Sequence, residues 1–185
     1  METQTFSKKE KEEIIRYGLD RIKSTCTMTF VTLLMGCIFQ VFFQSIIFLV
    51  CFIVLRKYAG GYHADTQNRC YVISTAIIAV ALLAIRYMSD GSDNEIFILL
   101  QSLNFILLYF LVPVDNKNHR LEYWEKEKYG KKARVRIGCM YVLCIFLNFT
   151  AIRSIAITVG VTNLTVGGCV IVGKIKNFVL NSLQI

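Results

Sequence analysis

Two side chains in this chain of 185 residues have the types and spacing of a nucleophile and its base. His63 precedes Cys70 by seven positions in the segment RKYAGGYHADTQNRC, Arg56–Cys70. The chain has two histidines and seven cysteines, and Cys70 is the one cysteine set in polar, basic surroundings. A thiol attacks as the thiolate, which a neighbouring imidazole promotes, and Arg56, Lys57 and Arg69 supply a cationic field. Along a straight helix such residues stand about 10.5 Å apart, beyond hydrogen-bond reach, so the segment must fold back. Gly60 and Gly61 provide the backbone freedom for that fold, and their amides are candidate oxyanion donors. Asp65 is the first choice for orienting His63; Gln67 and Asn68 are also close, and Asp115 and Asn116 can come from a second basic segment. Residue types and spacing alone leave a bland alternative open: a packing cysteine at the start of an apolar helix and a solvated loop histidine. A metal site would need His119 and Asp115 to complete it across segments, so neither a metal nor any other cofactor is expected.

The elements that must position this pair belong in a bilayer. With 55% hydrophobic residues and a mean hydropathy of +0.50, the chain has more apolar surface than a soluble domain of this size buries. Uncharged apolar stretches occupy Thr27–Leu55, Tyr71–Ile85, Ile96–Val114, Ile137–Ile152 and Ser154–Gly173. Several approach the roughly 20 residues that cross about 30 Å of hydrocarbon. The expected class is therefore all-α: a polytopic helical membrane protein of one domain, 1–185, with five to six apolar membrane segments and an amphipathic N-terminal helix over 1–25. In that helix Phe6, Ile14, Ile15, Leu19 and Ile22 oppose Lys8, Lys9, Glu10, Lys11, Glu12, Glu13 and Arg16. It can lie in the headgroup plane or cap the bundle. It has neither the short apolar core nor the small-residue cleavage site of a signal peptide, and is expected to be retained.

The net charge of +8 raises the question of nucleic acid, but the cations flank apolar segments without an aromatic-interleaved groove sequence, and orientation in a membrane explains them better. No nucleic-acid partner is expected. The other cysteines, Cys26, Cys37, Cys51, Cys139, Cys144 and Cys169, are dispersed through apolar sequence, where thiols pack as small hydrophobes. The basic segments 56–70 and 114–136 belong in the cytoplasm, and the acidic Ser89–Glu95 belongs outside. Tyr71–Met88 and Ile96–Val114 then run out and back. Ile137–Gly173, with Arg153 near its middle, forms a second hairpin that returns to a cytoplasmic C-terminus. Thr27–Leu55 is too long for one untilted span and too short for two full ones. Either one tilted helix or a hairpin bent near Gly36 or Gln40–Gln44 fits, and a Lys-rich N-terminal helix suited to an anionic cytoplasmic leaflet favours the hairpin.

The string RKYAGGYHADTQNRC resembles the active-site segment of the accessory gene regulator B (AgrB) family. The matching features are Arg56–Lys57, the Gly-Gly-Tyr-His-Ala run at Gly60–Ala64, Thr66, and Cys70 six intervening residues after His63. The likeness covers nearly the full chain: an amphipathic N-terminal segment, apolar segments in the same order, and a basic loop after a proline, PVDNKNHRL at Pro113–Leu121. Where related sequences commonly show lysine followed by proline, this chain has Lys117-Asn118-His119-Arg120.

The resemblance implies a membrane cysteine endopeptidase with His63 and Cys70 catalytic. Its partner would be an AgrD-like pheromone precursor, from which it removes the C-terminal tail and makes a cyclic thiolactone or lactone for quorum sensing. It also implies a homodimer in the cell membrane. Arg56, Lys57, Arg69, Lys117 and Arg120 are candidates for substrate binding, the basic segments either holding an acidic precursor tail or merely fixing orientation. The rival reading is a small membrane binding or transport component, its path lined by Gln40, Gln44, Gln101, Asn104, Asn148 and Asn163. Few of these are ionisable, and interhelical hydrogen bonding accounts for them.

Overall fold

The structure is a computed structural model that describes residues 8–61, 66–89, 94–114, 123–150 and 152–182. Among the described residues it contains six helices and no strand: α1 Lys8–Ile38, α2 Phe42–Ala59, α3 Gln67–Met88, α4 Asn94–Leu111, α5 Tyr123–Asn148 and α6 Arg153–Ser182. The all-α, multi-pass architecture expected from hydropathy is what is found. The number of spans is lower than the five to six expected: four helices, α2, α3, α4 and α6, are long and apolar enough to cross a membrane. The reason lies in the other two. The apolar part of α1 is only Ile22–Ile38, beyond a charged first half, and α5 carries Lys126–Arg136 before its apolar stretch begins. The N-terminal amphipathic segment, from Lys8, and the first apolar stretch as far as Ile38 form one continuous helix, and the basic segment read as a connection is helical from Tyr123 onward.

The long stretch Thr27–Leu55 is broken at Phe39–Val41, so α1 and α2 are separate helices that pack on each other. The stop is a left-handed helix cap. Gln40 takes φ +59°, its amide donates to Cys37 O at 3.1 Å, and Val41 N donates to Gly36 O at 2.8 Å. These two bonds satisfy carbonyls that a helix end leaves unpaired. Gly36 is required by closeness: a Cβ there would run into the Ser45 side chain.

α6 is the axis of the bundle. It packs on α2, α3, α4 and α5, and two-thirds of its span is buried inside the protein, against little more than a quarter in any other. Close approach is made by absent side chains, and at Gly167 an amide hydrogen bond accompanies it. Gly160 faces the Phe97 ring and Gln101, Gly167 faces the Asn104 carboxamide, and Asn104 Nδ2 donates to Asn163 O at 3.0 Å. Such small-residue contacts and interhelical hydrogen bonds drive helix association where lipid offers no hydrophobic contrast. α3 and α4, consecutive in sequence, each pack on α6 rather than extensively on each other.

Candidate active site

The C-terminal end of α2 meets the segment after α4 at one end of the bundle. Gly60 closes α2 by donating its amide to Arg56 O at 3.3 Å, with φ +72° and ψ −146°. Gly61 follows at φ +125°. Both conformations belong to glycine, because a Cβ would clash with the adjoining carbonyls. Beyond the cis Val112–Pro113 bond, Val114 N donates to Ala59 O at 3.1 Å, and Val114 pairs with Gly60 in a parallel bridge. A Cβ on Gly60 would strike the Val114 carbonyl, and one on Gly61 would stand 2.5 Å from Arg56 Nη1 and 3.0 Å from the Cys169 carbonyl oxygen of α6. The two basic segments, separate in sequence, are thus pinned together at the same end of the bundle. The Gly60 amide is committed to Arg56, which takes it out of the set available to an oxyanion.

Cys70 enters from α3. Thr66 caps that helix in an extended conformation, its Oγ1 accepting from Arg69 N at 3.4 Å, while Cys70 N donates to Thr66 O at 3.0 Å. Cys70 therefore lies in the first turn of a membrane helix, half-buried, with Sγ 4.0 Å from Ser74 Oγ. The other cysteines differ: Cys51, Cys144 and Cys169 are buried in the bundle, and Cys26, Cys37 and Cys139 are exposed along helices. Cys144 Sγ is turned to Ala156 O at 3.4 Å. α2 has ended at Ala59 and α3 begins at Gln67, so no single helix carries the sequence from Gly60 to Cys70. His63 and Asp65 lie outside the described residues, as do Asp115, Asn116, Lys117, His119 and Arg120. Arg69 is exposed beside Cys70, and Arg56 is half-buried against Gly61, its guanidinium 5.9 Å from the Phe52 ring.

A feature absent from the sequence reading is the aromatic and cationic lining between α2 and α5. Tyr58 and Tyr129 stand 6.0 Å apart between ring centroids, and the Arg136 guanidinium lies 3.6 Å from the Tyr58 centroid. Nearby on α5 the Trp124 ring has Lys128 Nζ at 6.0 Å. The signal that could have found Tyr58 is its place directly after Arg56–Lys57 at the end of an apolar run. Further along α5, Arg134 Nε donates to Tyr109 O at 3.2 Å. Lys131 meets Glu127 at 2.7 Å, and that hydrogen bond and charge hold the Glu127 carboxyl below its ordinary value.

Fold and composition define a multi-pass helical membrane protein with polar, cationic chemistry gathered at one end of its bundle. The family model for accessory gene regulator B matches residues 1–176, and the chain belongs to that family. AgrB-like protein 2 of Clostridium perfringens (strain 13 / Type A) is 30% identical over 156 residues, covering 80% of this chain and 73% of its own. A second AgrB-like protein, from Clostridium perfringens (strain SM101 / Type A), is 29% identical over 144 residues, covering 75% and 67%. No solved structure matches the chain. Family membership supports a role in the agr quorum-sensing system, in a membrane and with an AgrD-like precursor as partner.

Proposed function

We propose that the protein is a membrane cysteine endopeptidase that removes the C-terminal tail of an AgrD-like precursor and makes a cyclic peptide signal. The observation that carries this is the placement of Cys70. Its sulfur is half-buried in the capped first turn of α3, where an apolar span begins, seven residues after His63 in the sequence. This end is the cytoplasmic one, because it gathers the basic segments.

Cys70 Sγ attacks the scissile carbonyl carbon while His63 takes the thiol proton. The tetrahedral oxyanion collapses, the C–N bond breaks, and His63 returns the proton to the leaving amine, freeing the tail and leaving an acyl thioester on Cys70. With the Gly60 amide engaged, the amides of Gln67 and Asn68, which have no intrahelical acceptor, join Gly61 as oxyanion donors. An internal thiol or hydroxyl of the peptide then attacks the thioester, Cys70 leaves as the thiol, and the ring closes. Transfer to another thiol conserves the thioester. Its first formation from an amide is uphill and must be drawn forward by loss of the tail or of the product. A site at the membrane boundary favours the internal nucleophile over water.

The transport alternative has less support. Gln44 Nε2 donates to Ser154 Oγ at 3.1 Å and Asn104 to the Asn163 carbonyl, so these two amides fasten helices, whereas among the described residues Gln101 and Asn148 are buried with no hydrogen-bond partner. Reconstitution of the protein in liposomes with candidate precursors, read by mass spectrometry, tests the assignment. Tail release is expected from the wild type and is lost in Cys70→Ala and in His63→Ala; release that survives either substitution overturns it.

A further inference from the structure

We propose that the surface where α2 meets α5 at the basic end of the bundle binds the phosphate headgroup of an anionic phospholipid. Three cations converge there on one phenol ring. Arg136 lies 3.6 Å from the Tyr58 centroid, Lys57 Nζ 5.6 Å and Lys132 Nζ 5.9 Å, with the Tyr129 ring completing the wall. Among the described residues no carboxylate pairs with any of the three; Glu127 is taken by Lys131. Like charges held this close repel, and an anion seated between them turns that repulsion into binding. The Arg136 guanidinium also hydrogen-bonds the Tyr58 side chain; with five N–H donors it has others to offer an acceptor such as phosphate.

Depth and surroundings identify the anion. Tyr58 is the penultimate residue of the α2 span, Phe42–Ala59, and Arg136 immediately precedes the apolar Ile137–Asn148 run of α5. Both therefore stand where hydrocarbon gives way to headgroups. One turn deeper the same faces are apolar and exposed, Val50 and Val54 on α2 and Cys139 and Leu143 on α5. A lipid engaging the cations can lay its acyl chains along those faces, whereas a water-borne acidic peptide would leave them uncovered. Basic pockets between membrane helices on the cytoplasmic side bind anionic headgroups on this principle. The inference is independent of the proposed peptidase activity and is tested without it.

The full chain in mild detergent is titrated with phosphatidylglycerol or phosphatidylcholine, and retained lipid is read by native mass spectrometry. The wild type is expected to prefer phosphatidylglycerol by about a hundredfold, the product of three cations at ~1 kcal/mol each. In Lys57→Gln/Lys132→Gln/Arg136→Gln the preference falls by about fivefold for each cation removed, equivalent to ~1 kcal/mol apiece. The charge-matched Lys126→Gln/Lys128→Gln/Lys131→Gln variant keeps it. Arg136→Lys, which retains the charge and loses the planar guanidinium, falls between wild type and the first triple variant and guards against a folding defect in it. Competition with inorganic phosphate separates a lipid site from a phosphate site, and competition with an oligoglutamate peptide separates it from a peptide site. Equal affinity for the two lipids overturns the proposal, as does an equal loss in both triple variants or displacement of the lipid by either competitor at matched concentration.

Discussion

The pin between the two basic segments can be broken by one methyl group. In Gly60→Ala the new Cβ demands space occupied by the Val114 carbonyl, and the backbone sits at φ +72°, ψ −146°, a region that L-residues avoid at a cost of about 1–3 kcal/mol. A main-chain carbonyl cannot rotate out of the way as a side chain can, so the variant relaxes by separating the segments. Separation gives up the Val114 N–H to Ala59 O bond in wild type and variant alike, so that bond drops out of the difference between them. The strain, about 1–3 kcal/mol, is a shift of roughly 5- to 140-fold in the equilibrium between pinned and separated states at 1.4 kcal/mol per tenfold. Hydrogen exchange at the Val114 amide should accelerate by that factor. Release of the precursor tail should fall with it, since the glycine segment borders the connection that carries His63. The thermal midpoint in detergent should move less, because the helices keep their packing on α6. Gly168→Ala is the control. No atom lies within 4 Å of its Cβ position, so the same chemical change in a helix interior is neutral or stabilising by up to ~1 kcal/mol. Wild-type exchange at Val114 in Gly60→Ala would refute the reasoning outright.

Two other substitutions probe the frame around the site. Gln40→Gly should leave stability unchanged or raise it by about 1 kcal/mol, because glycine occupies the left-handed cap without strain, while Gln40→Val should lower it by a similar amount; thermal melts of both variants in one detergent decide this. Gly160→Leu should destabilise by about 1–3 kcal/mol or more through collision with the Phe97 ring and Gln101, seen as a lower midpoint. An unchanged midpoint would mean that α4 and α6 are not in the close contact described.

Some of this molecule is legible in its residues. Hydropathy placed the apolar segments because the cost of unpaired backbone in hydrocarbon forces such runs into helices. The same hydropathy overcounted spans, because it scored the apolar halves of α1 and α5 without the charged turns continuous with them. The stop near Gln40 was one of two alternatives, since an αL glutamine leaves no trace that a glycine would have left. At the site, Gly60 and Gly61 were recognised as the hinge before Cys70, but their partners were not: Val114 is more than fifty residues away in sequence.

What sequence determined by itself is the chemistry on offer and its solvent: His63 and Cys70 in a basic segment between apolar runs, in a chain that must live in a bilayer. What only tertiary structure decided is who neighbours whom. In lipid a helix is apolar on the side that packs and on the side that faces acyl chains, so periodicity carries no record of its partners. The central place of α6, the pairing of Gly60 with Val114 and the meeting of Tyr58 with Arg136 come from close fits at small residues and from polar groups that find one another across helices, and those exist only once the bundle has formed.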